Sequence, residues 1–129
     1  MKKEVVHTSK AAVTGAPLSQ AIKLGNLVFC SGCSPRDPKQ GNKVVEGGFR
    51  EQCTQAMENL KAVLEAAGSG FPHCLKATCY IVNIDENLPI LNEIWVTYFG
   101  KDLPARTALG VLKLRENYML EVEATAYVP

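Results

Sequence analysis

Apolar side chains recur three or four residues apart along residues 49–67, and Gly68 follows directly. This spacing places them on one face of a helix, and a glycine commonly ends a helix. We therefore predict one amphipathic helix of about five turns. A second helix is predicted over residues 88–99, beginning near Pro89 and ending at Gly100.

Shorter segments are rich in β-branched and aromatic residues and are bounded by glycine, proline or polar residues. This pattern predicts six strands, at residues 4–8, 21–24, 27–32, 73–84, 105–114 and 118–128. Gly25-Asn26 is typical of a hairpin turn, whereas residues 34–43 are dense in turn-forming residues and predict a loop. The order β-β-β-α-β-α-β-β favours an α+β sandwich, a mixed sheet with both helices on one face.

The last predicted strand alternates between two kinds of side chain. Its even positions from Leu120 to Ala126 are apolar, while its odd positions from Met119 to Tyr127 include two glutamates. We expect the even set to pack on the helices. The strand before it is apolar on both faces, and two helices can cover only one. We therefore expect another copy of the protein to cover the second face.

A polar turn at residues 115–117 joins these two strands and predicts a hairpin centred on Glu116. Arg106 would then face Ala126. Glu121 would lie five residues further along the partner strand, about 16 Å away at ~3.3 Å per residue. A substrate of three or four carbons cannot bridge that distance. Either this register is wrong, or one site takes its arginine and its glutamate from different chains, and the strand that is apolar on both faces agrees with the second option.

Length and charge exclude several classes of protein. The 129 residues, with a net charge of +1, suit one domain spanning residues 1–129. No basic and aromatic cluster indicates nucleic acid, and no apolar run approaches the ~20 residues of a membrane helix. The first residues lack the apolar segment of a secretory signal, so we expect a cytoplasmic protein with neither a nucleic-acid nor a membrane partner.

The five cysteines are an odd number, which disfavours a closed disulfide framework. Cys30 and Cys33 form a CxxC pair, but a zinc site would need a second such pair, and Cys74 and Cys79 are spaced differently. A redox CxxC also belongs at a helix N-terminus rather than at the end of a strand. We predict small buried thiols and no bound metal.

Arg106 is the only charged residue between Pro104 and Lys113. It is either a strand-end arginine that reaches water, or a partly buried one that grips a planar anion with two hydrogen bonds at a cleft between subunits. Glu121 and Glu123 pose a similar choice. Either could be solvated, or could line the cleft and position a water.

Several segments together resemble the RidA/YjgF family of reactive-intermediate deaminases. "PARTALGV" and "LEVEATA" are similar to the C-terminal signature of the family, and "TGAPLSQAIKLGNLVFCSGCSP" to its N-terminal segment. "NLKAVLEAAGSG", "ATCYIVNIDE" and "LNEIWVTYF" resemble its long helix, central strand and second helix. The resemblance covers most of the chain. It implies a chorismate-mutase-like fold and a homotrimer with three clefts between subunits.

The resemblance also implies an activity. Family members hydrolyse 2-imino acids, formed from the enamines that pyridoxal-phosphate dehydratases release, to 2-oxo acids and ammonia without a cofactor. Carried over by motif, Arg106 clamps the substrate carboxylate and Glu121 holds the attacking water. The Ser31-Gly32 pair presents its backbone to the ligand.

Three positions depart from the family pattern. Leu18 stands where a tyrosine is usual, Ala108 where a small thiol is common, and Arg115 where a proline is usual. The first two make the site more apolar, which favours a bulkier side chain or a slower reaction; Arg115 is interpreted as a loop change without a functional role. The alternative hypothesis is a trimeric module that binds a small carboxylate without turnover, in a regulatory or chaperone-like role. A ribonuclease is disfavoured, because the charge is near neutral and no basic stripe is present.

Overall fold

The computed structural model describes residues 1–129 and contains eight strands and two long helices. The helices are α1 (Phe49–Ala66) and α2 (Ile84–Phe99). The strands are β1 (Glu4–Val6), β2 (Ala21–Leu24), β3 (Leu27–Cys30), β4 (Arg36–Asp37), β5 (Lys43–Val44), β6 (Cys74–Val82), β7 (Ala105–Val111) and β8 (Leu120–Tyr127). Six strands form a mixed sheet in the order β1-β2-β3-β8-β6-β7, and β4 pairs with β5. The α+β prediction is confirmed.

Helix α1 forms where the apolar periodicity predicts it. The apolar face of the helix is buried against β8 and β3. At its start the Glu51 carboxylate accepts a hydrogen bond from the Gly48 N–H at 3.3 Å, which satisfies a backbone donor that the helix leaves free. Gly68, just past the end, has a φ of +83°, a left-handed conformation that favours glycine. Met57 and Leu60 are fully buried and anchor the core.

Helix α2 begins four residues earlier than predicted. It starts at Ile84, after Asn83 with a left-handed φ of 53°, and Pro89 lies inside the helix. Proline lacks the N–H that would bond the carbonyl four residues back, and for that reason the sequence favoured it as a start. The buried side chains of Leu91 and Trp95 hold the helix on the sheet despite that missing bond.

The predicted hairpin between the last two strands is wrong. Strand β7 pairs in parallel with β6, and Arg106 lies opposite Ala77. Strand β8 lies between β3 and β6, so Ala126 pairs with Val28 and Cys74 rather than with Arg106. Helix α2 supplies the crossover that a parallel pair requires. The turn after β7 therefore leads the chain past β6 to its far side.

The two faces of the sheet differ as the alternation in β8 predicts. The even positions of β8 are all buried beneath the helices. No element of this chain covers the opposite face, where Leu27, Phe29 and Leu109 are 37%, 44% and 38% exposed. We refer to this surface as the open sheet face. Neither helix is long and apolar enough to cross a membrane.

All five cysteines are free and buried, as predicted. Burial raises the pKa of Cys30, Cys53 and Cys79 to about 12 and that of Cys74 to about 11. Burial also raises the pKa of Cys33, next to Cys30 and Glu121. A thiol kept protonated in this way is a small apolar side chain rather than a nucleophile.

Candidate active site

A cavity of about 320 Å³ lies beside the ends of β1, β3 and β8. Four residues predicted for the site line it, namely Leu18, Ser31, Gly32 and Glu121. No group of three His, Cys, Asp or Glu side chains is placed to hold a metal ion. The structure thus brings together one carboxylate, a serine-glycine backbone and apolar walls.

The Ser31-Gly32 segment is fixed on both sides. The Ser31 hydroxyl donates to the Ser19 carbonyl at 2.6 Å, and the Ser31 N–H donates to the Gln20 carbonyl at 2.9 Å. The next residue, Cys33, exchanges backbone hydrogen bonds of 2.7 and 3.2 Å with Val122. These hydrogen bonds fix the segment beside β8, next to the residue before Val122 in the chain.

That residue is Glu121, whose carboxylate lies directly against Gly32. A Cβ atom added to Gly32 would lie 2.6 Å from the Glu121 Oε2 atom, closer than real Cβ atoms approach their neighbours. Only glycine leaves room for the carboxylate in this position. An alanine at this position would displace the Glu121 carboxylate, and the constraint arises from this side-chain contact rather than from a left-handed backbone.

Glu121 and Glu123 have different environments. Glu123 accepts a hydrogen bond from the Tyr80 hydroxyl at 2.6 Å, while the Glu121 carboxylate accepts none within the chain. Burial, and then repulsion by Glu123, raise the pKa of Glu121, whereas Arg115 acts to lower it. Glu121 is therefore the carboxylate that is free to bind a water and poised to take up a proton.

Arg106 and Ala108 lie elsewhere, on the helix side of β7. The Arg106 guanidinium carbon is 5.2 Å from the centre of the Trp95 ring, and neither residue lines the cavity. Arg106 lies opposite Ala77, which lies opposite Ala124, three residues from Glu121. Strand spacings therefore separate the Cα atoms of Arg106 and Glu121 by about 14 Å, with the side chains on opposite faces. One chain does not bring them together.

Two residues without a predicted role also line the cavity, Arg115 and Tyr118. Tyr118 is buried, and its hydroxyl accepts a 2.5 Å hydrogen bond from the Arg36 Nε, while the Arg36 Nη2 contacts Glu116. This network fixes the turn that leads into β8. The available signal was position: a polar turn directly precedes the strand that carries the predicted glutamate.

Comparisons with known proteins agree with this fold. The family model described as endoribonuclease L-PSP matches residues 8–128. A RutC family protein of Pyrococcus abyssi is 41% identical over 98% of both chains. The rat 2-iminobutanoate/2-iminopropanoate deaminase is 37% identical over 96% of this chain and 89% of its own. A Rid family protein from Yersinia pestis has a structure with a TM-score of 0.93, at 33% identity over 98% of this chain and 100% of its own.

These matches define the class of protein as a small domain of the endoribonuclease L-PSP type. The chain belongs to the RidA/YjgF family, to which its sequence segments are similar. Imine deaminase activity is supported at the level of the family.

Proposed function

We propose that the protein hydrolyses 2-imino acids of the 2-iminopropanoate and 2-iminobutanoate type to 2-oxo acids and ammonia. The observation that carries the proposal is the environment of the Glu121 carboxylate. Its carboxylate has no hydrogen-bonding partner in the chain, lies against the Gly32 backbone and faces a cavity of about 320 Å³. Relatives that carry the deaminase name, such as the rat protein, support the same reaction.

The chemistry requires one base that later acts as an acid. Glu121 accepts a proton from water while the water oxygen bonds to C2 of the protonated imine. Glu121 then gives that proton to the nitrogen of the tetrahedral intermediate, and the C–N bond breaks. The C2–O bond becomes a carbonyl as the hydroxyl proton passes to the departing ammonia, which leaves as ammonium. Water and the protonated imine are thus converted to a 2-oxo acid and ammonium, with Glu121 ionised again. No cofactor takes part in this proposal, because the imine carbon is already electrophilic.

The substrate carboxylate requires a positively charged partner, and the predicted one, Arg106, does not line the cavity of its own chain. We assign this role to Arg106 of a neighbouring subunit, whose guanidinium offers two parallel hydrogen bonds. The open sheet face, with Leu27, Phe29 and Leu109 exposed, supports assembly of several copies. A homotrimer with three equivalent sites satisfies both requirements.

Leu18 and Ala108 are proposed to define the space for the substrate side chain. Leu18 is 57% exposed at the cavity, and Ala108 lies two residues from Arg106 on the same face of β7. If Arg106 enters a cavity of the neighbouring chain, Ala108 enters with it. Neither side chain offers a hydrogen bond, so they restrict the shape of the substrate rather than its charge.

The reaction is tested directly by a coupled assay. A threonine or serine dehydratase releases the enamine, and the decay of the derived imine is followed with and without the protein. We expect faster decay and an equal yield of ammonia and 2-oxo acid. If the rate does not change although the protein is assembled, the alternative is favoured, a trimeric module that binds a small carboxylate without turnover.

A parallel assay can measure cleavage of an RNA substrate by the same protein, because the family description names an endoribonuclease. Recognition of an RNA backbone needs several basic side chains along a track. Arg115 is the only arginine or lysine among the residues that line the cavity. This distribution of charge supports a small-molecule substrate over RNA.

Gly32→Ala should lower kcat/KM for imine hydrolysis by about a hundredfold, because displacing a catalytic group by about 1 Å costs on that order. The added methyl group would lie 2.6 Å from the Glu121 Oε2 atom and would force the carboxylate to move. Gly48→Ala is the matched control, since a Cβ at Gly48 meets no atom within 4 Å. Thermal unfolding should show both variants folded. Full activity of the Gly32→Ala variant would contradict a role for the Glu121 carboxylate where it lies.

A further inference from the structure

Arg115 supplies the only guanidinium that lines the cavity of one chain, and the proposed reaction does not use it. It lies in the turn between β7 and β8 and is the only arginine or lysine among the lining residues. The proposed function already gives the 1-carboxylate of the substrate to Arg106. A second arginine at the same site would then have no anion to bind in a substrate with a single carboxylate.

The guanidinium of Arg115 makes only a long ion pair within the chain and is accessible to a ligand. It donates no hydrogen bond within the chain, and its contact with Glu116, 3.8 Å from Nε to Oε1, exceeds hydrogen-bonding distance. Glu116 is held by closer contact with Arg36. The Arg115 side chain is 58% exposed, so a ligand can reach it.

The positive charge of Arg115 also acts on the Glu121 carboxylate. It acts to lower the pKa of Glu121, opposing the effects of burial and of Glu123. Arg115 and Glu121 also line the same cavity, so the positive charge and the carboxylate belong to one candidate site. The hydrogen bond from Arg36 to the buried Tyr118 hydroxyl anchors the turn that contains Arg115.

The geometry points to Arg115 as a specificity-determining residue that binds a second carboxylate on the substrate side chain. The favoured substrates are dicarboxylic 2-imino acids, such as the imines of aspartate and glutamate. This inference rests on the proposed function: Arg106 of the neighbouring subunit binds the 1-carboxylate, and Arg115 binds the distal one. The planar fork of each arginine matches one carboxylate.

The test compares two imines of equal size that differ in charge. An amino-acid oxidase generates the imine of aspartate or that of asparagine, and their kcat/KM values are measured in the presence of the protein. We expect the wild-type protein to prefer the aspartate imine, and Arg115→Ala to reduce that preference about tenfold or more, since hydrogen bonds between charged groups are worth that much. Lys113→Ala is the matched control: Lys113 lies in the same turn but does not line the cavity, so the ratio should not change.

The pattern of losses decides the role of Arg115. If Arg115→Ala lowers both kcat/KM values equally, Arg115 binds the 1-carboxylate or only tunes Glu121, and the inference is overturned. Equal kcat/KM values for the two imines in the wild-type protein overturn it as well. Any change that both imines share through Glu121 cancels in the ratio.

A binding measurement separates this inference from the proposed function. Calorimetry compares 2-oxoglutarate with 2-oxopentanoate, which has the same chain length but lacks the second carboxylate. Tighter binding of 2-oxoglutarate that is lost in Arg115→Ala supports the inference even if no imine is hydrolysed, in which case only the proposed function fails. Equal affinities for the two acids overturn the inference whether or not the protein is an enzyme.

Discussion

Subunits with Arg106→Ala and subunits with Glu121→Ala should each be inactive alone and should recover activity when they are unfolded and refolded together. In one chain the two Cα atoms lie about 14 Å apart, with side chains on opposite faces of the sheet, so a complete site needs one residue from each of two chains. In a cyclic trimer assembled at random from equal amounts, about a quarter of the sites combine an intact arginine with an intact glutamate. The mixture should therefore approach a quarter of the wild-type rate.

The matched control mixes Arg106→Ala subunits with subunits that carry both substitutions. No site in that mixture contains Arg106, so it should stay inactive. Native mass spectrometry verifies that the subunits have exchanged. An inactive Arg106→Ala and Glu121→Ala mixture with exchange verified would show that each site is built from a single chain.

Glu121→Gln should reduce kcat about a hundredfold or more, since one general base typically contributes about a hundredfold to ten-thousandfold, while KM changes little. The amide cannot accept the proton of the attacking water, but the carboxylate-binding arginine remains. Glu123→Gln is the matched control on the same strand and face. Glu123 accepts the Tyr80 hydroxyl hydrogen bond, which an amide oxygen can also accept, so we expect a smaller loss. A larger loss for Glu123→Gln would move the base to that residue.

The same pair of variants tests the environment of Glu121. Because burial raises the pKa of Glu121, kcat/KM should fall with decreasing pH at a higher pH than an ordinary glutamate would give. Stability follows the opposite direction: the folded state disfavours the ionised carboxylate, and this penalty is absent at low pH and grows as pH rises through the raised pKa. Glu121→Gln should therefore be at least as thermostable as the wild type at neutral pH, and this advantage should disappear in acid.

The parts of the fold that depend on periodicity could be predicted from the sequence. The spacing in α1 and the alternation in β8 each identify a buried face, because burial itself imposes those periods. The start of α2 could not be found in this way. Proline argues for a helix start, and only tertiary contacts of residues such as Leu91 outweigh its missing hydrogen bond.

Strand pairing was the larger error. A polar turn indicates where the chain reverses but not which strand it will meet, and the partner of β7 is decided by the α2 crossover and by the shared core. The expected distance between Arg106 and Glu121 was derived from a hairpin that does not exist. The conclusion that one chain cannot join them now follows from the pairing of both strands with β6.

Of the residues predicted for the candidate site, those that line the cavity all lie in segments that resemble the family. Strand alternation proposed Glu121 and Glu123 equally, and the resemblance selected Glu121 and added Gly32. In the structure the Glu121 carboxylate lies against the α-carbon of Gly32. Arg115 and Tyr118 carried no periodic or spacing signal. Their position at the cavity depends on how the turn folds over the end of β3, which is a property of the assembled sheet.

The rate at which the buried cysteines react with a thiol reagent reports how often the structure opens around them. A thiol reagent attacks only the ionised sulfur of a cysteine that it can touch, and each of the five is both enclosed and held protonated. Modification must therefore wait for a local or global opening event. Cys53 reports on the opening of α1, and Cys79 reports on the opening of the centre of the sheet. The order in which the two cysteines become labelled, measured by mass spectrometry, therefore shows which of these two parts of the fold opens more often.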